Sequence, residues 1–180
     1  VWPLEYIQID GAVVGGVKYS NGDLYFATSE NDSFSEKGGF FYSVDANNGQ
    51  IKFKIPMKNR IYNSIEINEE KKIALVGDTA GSLLLINLDN KINLKPEDRI
   101  ISSVETNYSI ISPAIHIIDS NFDSNYCIGN INGDIKCFKL ENKNGFLLTE
   151  WASINIEGWI WSDMELVSNE NSLFLISLSG

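Results

Sequence analysis

An all-β chain built from repeated copies of one antiparallel sheet unit is what this sequence predicts, and three observations predict it. Aromatic and β-branched residues are frequent while alanine is scarce, a balance that favours pleated sheet over helix. No stretch sustains a 3.6-residue apolar period, whereas short apolar runs alternate with Gly-, Asn- and Asp-rich turns along the whole chain. The third observation is a spacing. A pair of small or turn-prone residues between apolar neighbours recurs as Val14-Gly15-Gly16-Val17, Tyr62-Asn63-Ser64-Ile65, Ile111-Ser112-Pro113-Ala114 and Trp161-Ser162-Asp163-Met164. The first small residue of each pair, at 15, 63, 112 and 162, advances by steps of 48, 49 and 50.

These pairs mark an inner strand in each unit, expected near 12–19, 60–67, 109–118 and 159–167. A second, apolar strand follows at "DLYFATS" (23–29), "KIALVGD" (72–78), "YCIGNIN" (126–132) and "SLFLISLSG" (172–180). A third ends in an acid, at "FFYSVD" (40–45), "LLLINLD" (83–89) and "IKCFKLE" (135–141), each introduced by a glycine: Gly39, Gly81 or Gly133. The outer strand is "QIKFKIPM" (50–57) and "FLLTEW" (146–151). Its counterpart "INLKPEDRI" (92–100) carries a proline and charges, which suits an edge strand where a missing ladder donor is tolerated. The third and fourth strands repeat as a block, "SVDANNGQIKFKI" (43–55) returning as "KLENKNGFLLTEW" (139–151).

Four short strands per unit at this period are the pattern of a β-propeller, whose radial packing shields sheet faces that a flat stack would expose. The chain therefore reads as a single incomplete propeller segment over 1–180, about three and a half four-stranded antiparallel blades. A β-sandwich, the competing all-β arrangement, does not predict a constant step. By the same register Gly180 corresponds to Gly133, and "VWPLEYIQIDG" to "EWASINIEG" (150–158), so the intact protein is expected to have further blades.

A formal charge of −10 and a pI near 4.5 disfavour nucleic acid and anionic membrane surfaces, which select clustered Lys and Arg. No apolar run approaches the roughly 20 residues of a membrane span. Two cysteines, Cys127 and Cys137, are too few for a disulfide framework and lack metal-ligand spacing. They lie on neighbouring strands. A two-residue turn at Asn132-Gly133 would put their sulfurs on opposite sides of the sheet, and a three-residue loop ending at Gly133 would make them face each other. Two half-buried small apolar side chains is the reading taken for them.

The repeat resembles the quinoprotein-like, or PQQ-type, blade of the alcohol dehydrogenase-like propellers. "SPAI" (112–115), "GDLYFATS" and "YSVDANNGQIKFKI" carry the resemblance. The last follows the family's apolar-Asp-x-x-x-Gly-x-x-x-aromatic pattern, with Phe53 where Trp is usual, and Trp151 and Trp2 fall near the same outer-strand place. The resemblance implies structural roles: an acid and glycine closing a turn, an outer aromatic bridging to the next blade, and small inner residues where strands crowd. Dehydrogenases of the family hold pyrroloquinoline quinone beside calcium, with an adjacent-cysteine disulfide and Asp, Asn, Glu and Arg ligands. This chain has no adjacent cysteines and only Arg60 and Arg99, so no cofactor is expected.

His116, the single histidine, lies in "AIHII" and reads as a satisfied strand residue; nothing marks Ser112 or Asp119 as its partners in a hydrolytic triad. The insertion "SENDSFSEKGG" (29–39) brings Glu30, Asp32 and Glu36 near Asp45, without the alternation of a calcium loop, and reads as a solvated hairpin tip. Trp159 and Trp161 share one face of the fourth inner strand with Asp163, either lining a channel mouth or packing between blades. Together with His116 they form the candidate ligand or partner surface. The expectation is a non-catalytic scaffold that binds a protein through blade loops or the channel mouth. The resemblance, which extends to outer-membrane assembly lipoproteins, places it in the periplasm or at the cell surface. A quinoprotein dehydrogenase fragment, or a regulatory propeller fused to another enzyme domain, is the alternative.

Overall fold

The computed structural model describes residues 6–30, 38–90, 92–118, 123–169 and 172–176. The first blade contains β1 (Ala12–Val13), β2 (Lys18–Ser20), β3 (Asp23–Ser29), β4 (Gly39–Asp45) and β5 (Ile51–Met57). β1 and β2 both pair with β3, so they are two pieces of one interrupted inner strand. The second blade is β6 (Glu66–Asn68), β7 (Ile73–Gly77), β8 (Ser82–Asn87) and β9 (Ile100–Glu105). The third is β10 (Ile115–Ile118), β11 (Ser124–Gly129), β12 (Asp134–Asn142) and β13 (Phe146–Asn155). β14 (Glu165–Asn169) and β15 (Ser172–Ile176) begin a fourth. Every pairing is antiparallel and follows chain order within its blade. The Gly180 counterpart of Gly133, and Trp2, lie outside the described residues. No helix among them is long and apolar enough to cross a membrane.

The inner ladders are shorter than the sequence suggests. β2, β6, β10 and β14 each begin three positions after the first residue of the small pair, which lies in the crowded connection leading in. A Cβ on Gly15 would stand 2.1 Å from the Asn63 carbonyl oxygen of the next blade, so only glycine fits there. The outer strand of the second blade also departs from expectation. Residues 92–96 do not join the sheet, Pro96 adopts helical dihedrals, and a 3₁₀ turn at Glu97–Arg99 delays the ladder to Ile100. Proline has no N–H to offer, so pairing starts only beyond it.

Period-two alternation sends opposite faces of each blade into different cores. Between the first and second blades, Phe41, Phe53 and Ile55 pack with Ile61, Ile65, Ala74 and Ile86. Between the second and third, Leu75, Leu83 and Leu85 meet Ile110, Tyr126, Ile128 and Phe138. Among the described residues, Ile135, Ile160 and Met164 cluster between the third and fourth blades, with Ile115 and Cys137 beside them. On the opposite face of the first blade, Ile7 and Ile9 cover Phe26, Tyr42 and Val44.

The cysteine reading is overturned. Cys127 and Cys137 form a disulfide across β11 and β12. Asn130 and Asp134 close the ladder around the three-residue loop Ile131-Asn132-Gly133, which places the two sulfurs on one side. They occupy the cross-strand site filled by Tyr25–Ser43 in the first blade and Leu75–Leu85 in the second.

Hydrogen bonds repeat at the blade joints. Asp78 Oδ1 accepts the Ala80 and Ser82 N–H groups, and Asn130 Oδ1 accepts those of Asn132 and Asp134. Gly81 and Gly133 close these turns at φ 93° and 80°, a region glycine enters without steric cost. The carbonyls of Asp78 and Asn130 then accept the N–H of Ile110 (2.9 Å) and Ile160 (3.2 Å) from the following blade. At the first joint the Ser29 hydroxyl accepts from the Ile61 N–H and donates to its carbonyl. Buried Asn63 donates to the carbonyls of Gly77 and Ile110, both at 3.0 Å. Gly77 and Gly129 admit the next isoleucine: a Cβ there would lie 2.3 and 2.5 Å from the Cγ2 atoms of Ile110 and Ile160.

Phe53 bridges to the next blade as an outer aromatic should. Its ring lies 3.9 Å beneath the guanidinium carbon of Arg99, and that guanidinium donates to the carbonyls of Asn87 and Asp89. Trp151 does not repeat the bridge; it is exposed on β13. Arg99→Gln is expected to cost about 2–3 kcal/mol, since a buried charge-assisted contact and a cation–π contact are lost together. The urea midpoint measures it, and an unchanged midpoint would refute the bridge.

Candidate functional site

Two sets of loops meet on one face of the blades: the turns between second and third strands, and the connections from each outer strand to the next inner strand. Backbone bonds from Thr79 to Arg60, Ile110 to Asp78, Ile131 to Ser109 and Ile160 to Asn130 hold the two sets together. Alternation in the connections buries Ile61, Ile110 and Ile160 and turns their neighbours outward. Tyr62, Trp159 and Trp161 are 38%, 51% and 54% exposed, and Tyr108 joins them at 45%. The Trp159 and Trp161 rings lie 4.9 Å apart at 44°, so the pair faces solvent and does not fill the space between blades. The turns on the opposite face mix polar stretches, such as Asn47-Asn48 and Glu69-Glu70-Lys71, with exposed apolar residues at Tyr19, Ile92 and Ile118.

Behind the aromatic face a cavity of about 310 Å³ opens where the inner strands converge. Lys18 of β2, Glu66 of β6, Ile115 and His116 of β10, and Asp163 and Met164 ahead of β14 line it, with Ser64, Pro113 and Ala114 between them. The structure thus brings two predicted residues, His116 and Asp163, into one wall. It places Trp161 two residues before Asp163, on the segment entering that wall.

His116 stacks on Tyr126 with ring centroids 4.8 Å apart and 14° between planes. It is not the satisfied strand histidine that the sequence suggests, because its Nε2 is buried with no hydrogen-bond partner among the described residues. Burial, followed by the nearby Lys71 charge, lowers its pKa and keeps the ring neutral at neutral pH. Ser112 does not face it: that hydroxyl is buried and donates to the Gly129 carbonyl at 3.0 Å. Asp119 lies outside the described residues, as do Asp32 and Glu36 of the polar insertion. Among the described residues no group of three His, Cys, Asp or Glu side chains converges as a metal ion would require.

Glu66 and Lys18 were not singled out in the sequence, although they stand at one repeating place, three positions after the first residue of the small pair. Burial pushes the Glu66 carboxyl above its ordinary value, opposed by the Lys18 charge. A carboxyl with a raised folded pKa holds its proton more tightly folded than unfolded. Its contribution is therefore most favourable in acid and is lost as pH climbs from 4.5 through the raised folded value. Glu66→Gln removes that loss. The variant should unfold at higher urea than the parent at neutral pH, with the gap closing in acid; a gap constant with pH would contradict the assignment.

A second cleft, about 350 Å³, separates the first two blades on the opposite face. Most of its charges are paired. Buried Asp23 pairs with Lys52 and accepts from Asn90 at 2.8 Å, and Lys72 bonds Asp89 at 3.1 Å. That cleft belongs to the joint between blades.

No family model and no curated protein sequence matches the chain. Solved structures do. BamB from Moraxella catarrhalis is similar at 13% identity and a TM-score of 0.56, over 89% of this chain and 39% of that one. The computationally designed Ika4 protein is similar at 12% identity and a TM-score of 0.58, over 98% and 96%. Saccharomyces cerevisiae Sqt1 is similar at 12% identity and a TM-score of 0.66, over 96% and 44%. The chain thus spans less than half the length of the BamB and Sqt1 chains. At these identities the likeness is one of fold, and with the repeated antiparallel sheets it makes this chain a partial β-propeller.

Proposed function

We propose that this chain is part of a non-catalytic propeller scaffold that holds a protein partner at the aromatic mouth of its inner strands. The observation that carries the reading is the placing of four exposed aromatics, Tyr62, Tyr108, Trp159 and Trp161, on one loop face, with the Trp159 and Trp161 rings 4.9 Å apart. Aromatic side chains supply large contact area at low conformational cost and are enriched at interfaces. The recurring residues of the framework are meanwhile spent on joints between blades, which leaves loop positions free to carry recognition.

The blades are read as PQQ-like from "SPAI" and "YSVDANNGQIKFKI", and the cell envelope is the compartment proposed. The Cys127–Cys137 disulfide supports an oxidising compartment, because such bonds persist there and are rare in a reducing cytosol. Affinity purification of the complete protein should recover a stoichiometric protein partner that Trp159→Ser/Trp161→Ser releases. Recovery of no partner, together with turnover of a substrate, would overturn the proposal.

A further inference from the structure

The cavity behind the aromatic face has a chemistry that selects its occupant. Glu66 and Asp163 both line it, and neither carboxylate has a hydrogen bond or ion pair among the described residues. Lys18 is the cation of the wall, so the lining carries a net negative charge. Glu165 adds to it by position. It opens β14 at the place that Lys18, Glu66 and Ile115 hold in β2, β6 and β10. The neutral His116 ring lines the cavity and adds no charge. The tilted Trp159–Trp161 pair stands on the segment that enters this wall, offering π faces that attract a cation.

An anion would meet unpaired carboxylates here. A neutral sugar could stack on the tryptophans yet would leave Glu66 and Asp163 unmatched. At about 310 Å³ the space lies at the low end of small-molecule pockets, which suits one long side chain better than a cofactor. We propose that this cavity receives a single Lys or Arg side chain from an extended segment of a protein partner, its charge met by Glu66 and Asp163 and its stem covered by Trp159 and Trp161. The inference rests on the scaffold reading above and names the chemistry of the partner.

The test uses the complete protein, labelled at tryptophan indole nitrogens, and NMR titration with the blocked peptide Gly-Ser-Arg-Ser-Gly, its citrulline analogue, and cellohexaose. The arginine peptide should give a saturable shift of indole signals that Trp159→Phe or Trp161→Phe removes. Its affinity should fall at least about tenfold with citrulline, and by a similar factor in Glu66→Gln/Asp163→Asn. Circular dichroism and the urea midpoint check that this variant is folded. If it is not, citrulline against arginine on the parent protein still decides the matter. Equal binding of the citrulline peptide, binding of cellohexaose alone, or no saturable shift with arginine would each overturn the proposal. The two readings fail separately. A purified partner that binds Glu66→Gln/Asp163→Asn as tightly as the parent would leave the scaffold standing and sink the cation. Recovery of no partner at all would sink the scaffold.

Discussion

Replacing Phe138 by alanine is expected to lower the unfolding free energy by about 3–5 kcal/mol. Phe138 is fully buried, faces Tyr126 across the β11–β12 ladder, and packs in the core between the second and third blades. Truncation removes the transfer energy of the ring and leaves a void against Leu75, Leu83 and Leu85, whose backbones are held by their own ladder and cannot collapse into it. Urea unfolding of parent and variant measures the difference through the midpoint at constant slope. A loss below about 1 kcal/mol, the size seen for exposed positions, would mean that the two blades are not packed as described.

Removing the disulfide should have the second largest effect. Cys127 and Cys137 are separated by 10 positions, and closing so short a loop constrains the unfolded chain by roughly 2–3 kcal/mol in the chain-entropy account. Cys137 also packs beside Ile135, Ile160 and Met164, so the bond ties the third blade's strands next to that cluster. Cys127→Ala/Cys137→Ala should unfold at lower urea than the oxidised parent and be indifferent to reductant. The parent should drop towards the variant when dithiothreitol is added. Thiol titration of the denatured, unreduced protein should find no reactive cysteine. A reductant-insensitive parent with two titratable thiols would refute the bond.

The fold was legible because the period is written in small residues. Gly15, Asn63, Ser112 and Ser162 stand where connections crowd, and that steric demand is visible as spacing even when the residue type changes. The lock at Phe53 was equally legible as an aromatic at a fixed distance from a turn. What sealed it was not: Arg99 follows Pro96, Glu97 and Asp98 in a stretch that looks like a solvated edge, and only the 3₁₀ turn carries its guanidinium over the ring. The disulfide hinged on one residue of loop length, two or three, which the Asn132-Gly133 dipeptide does not decide. For the candidate site, alternation placed Trp159, Trp161 and Asp163 together, but the gathering of His116 with Glu66 and Lys18 needed the radial arrangement of separate blades. Residues nearly 50 positions apart become neighbours only when each inner strand is set beside the next.

The joints made by Asp78 with Ile110 and by Asn130 with Ile160 carry a consequence for how such a chain can grow. In the second and third modules the turn between second and third strands offers a carbonyl at a fixed point, and the module that follows brings an N–H to it. A duplicated or deleted module would meet its neighbours through the same pair of groups. Ring size can therefore change in descent without inventing a new way to join.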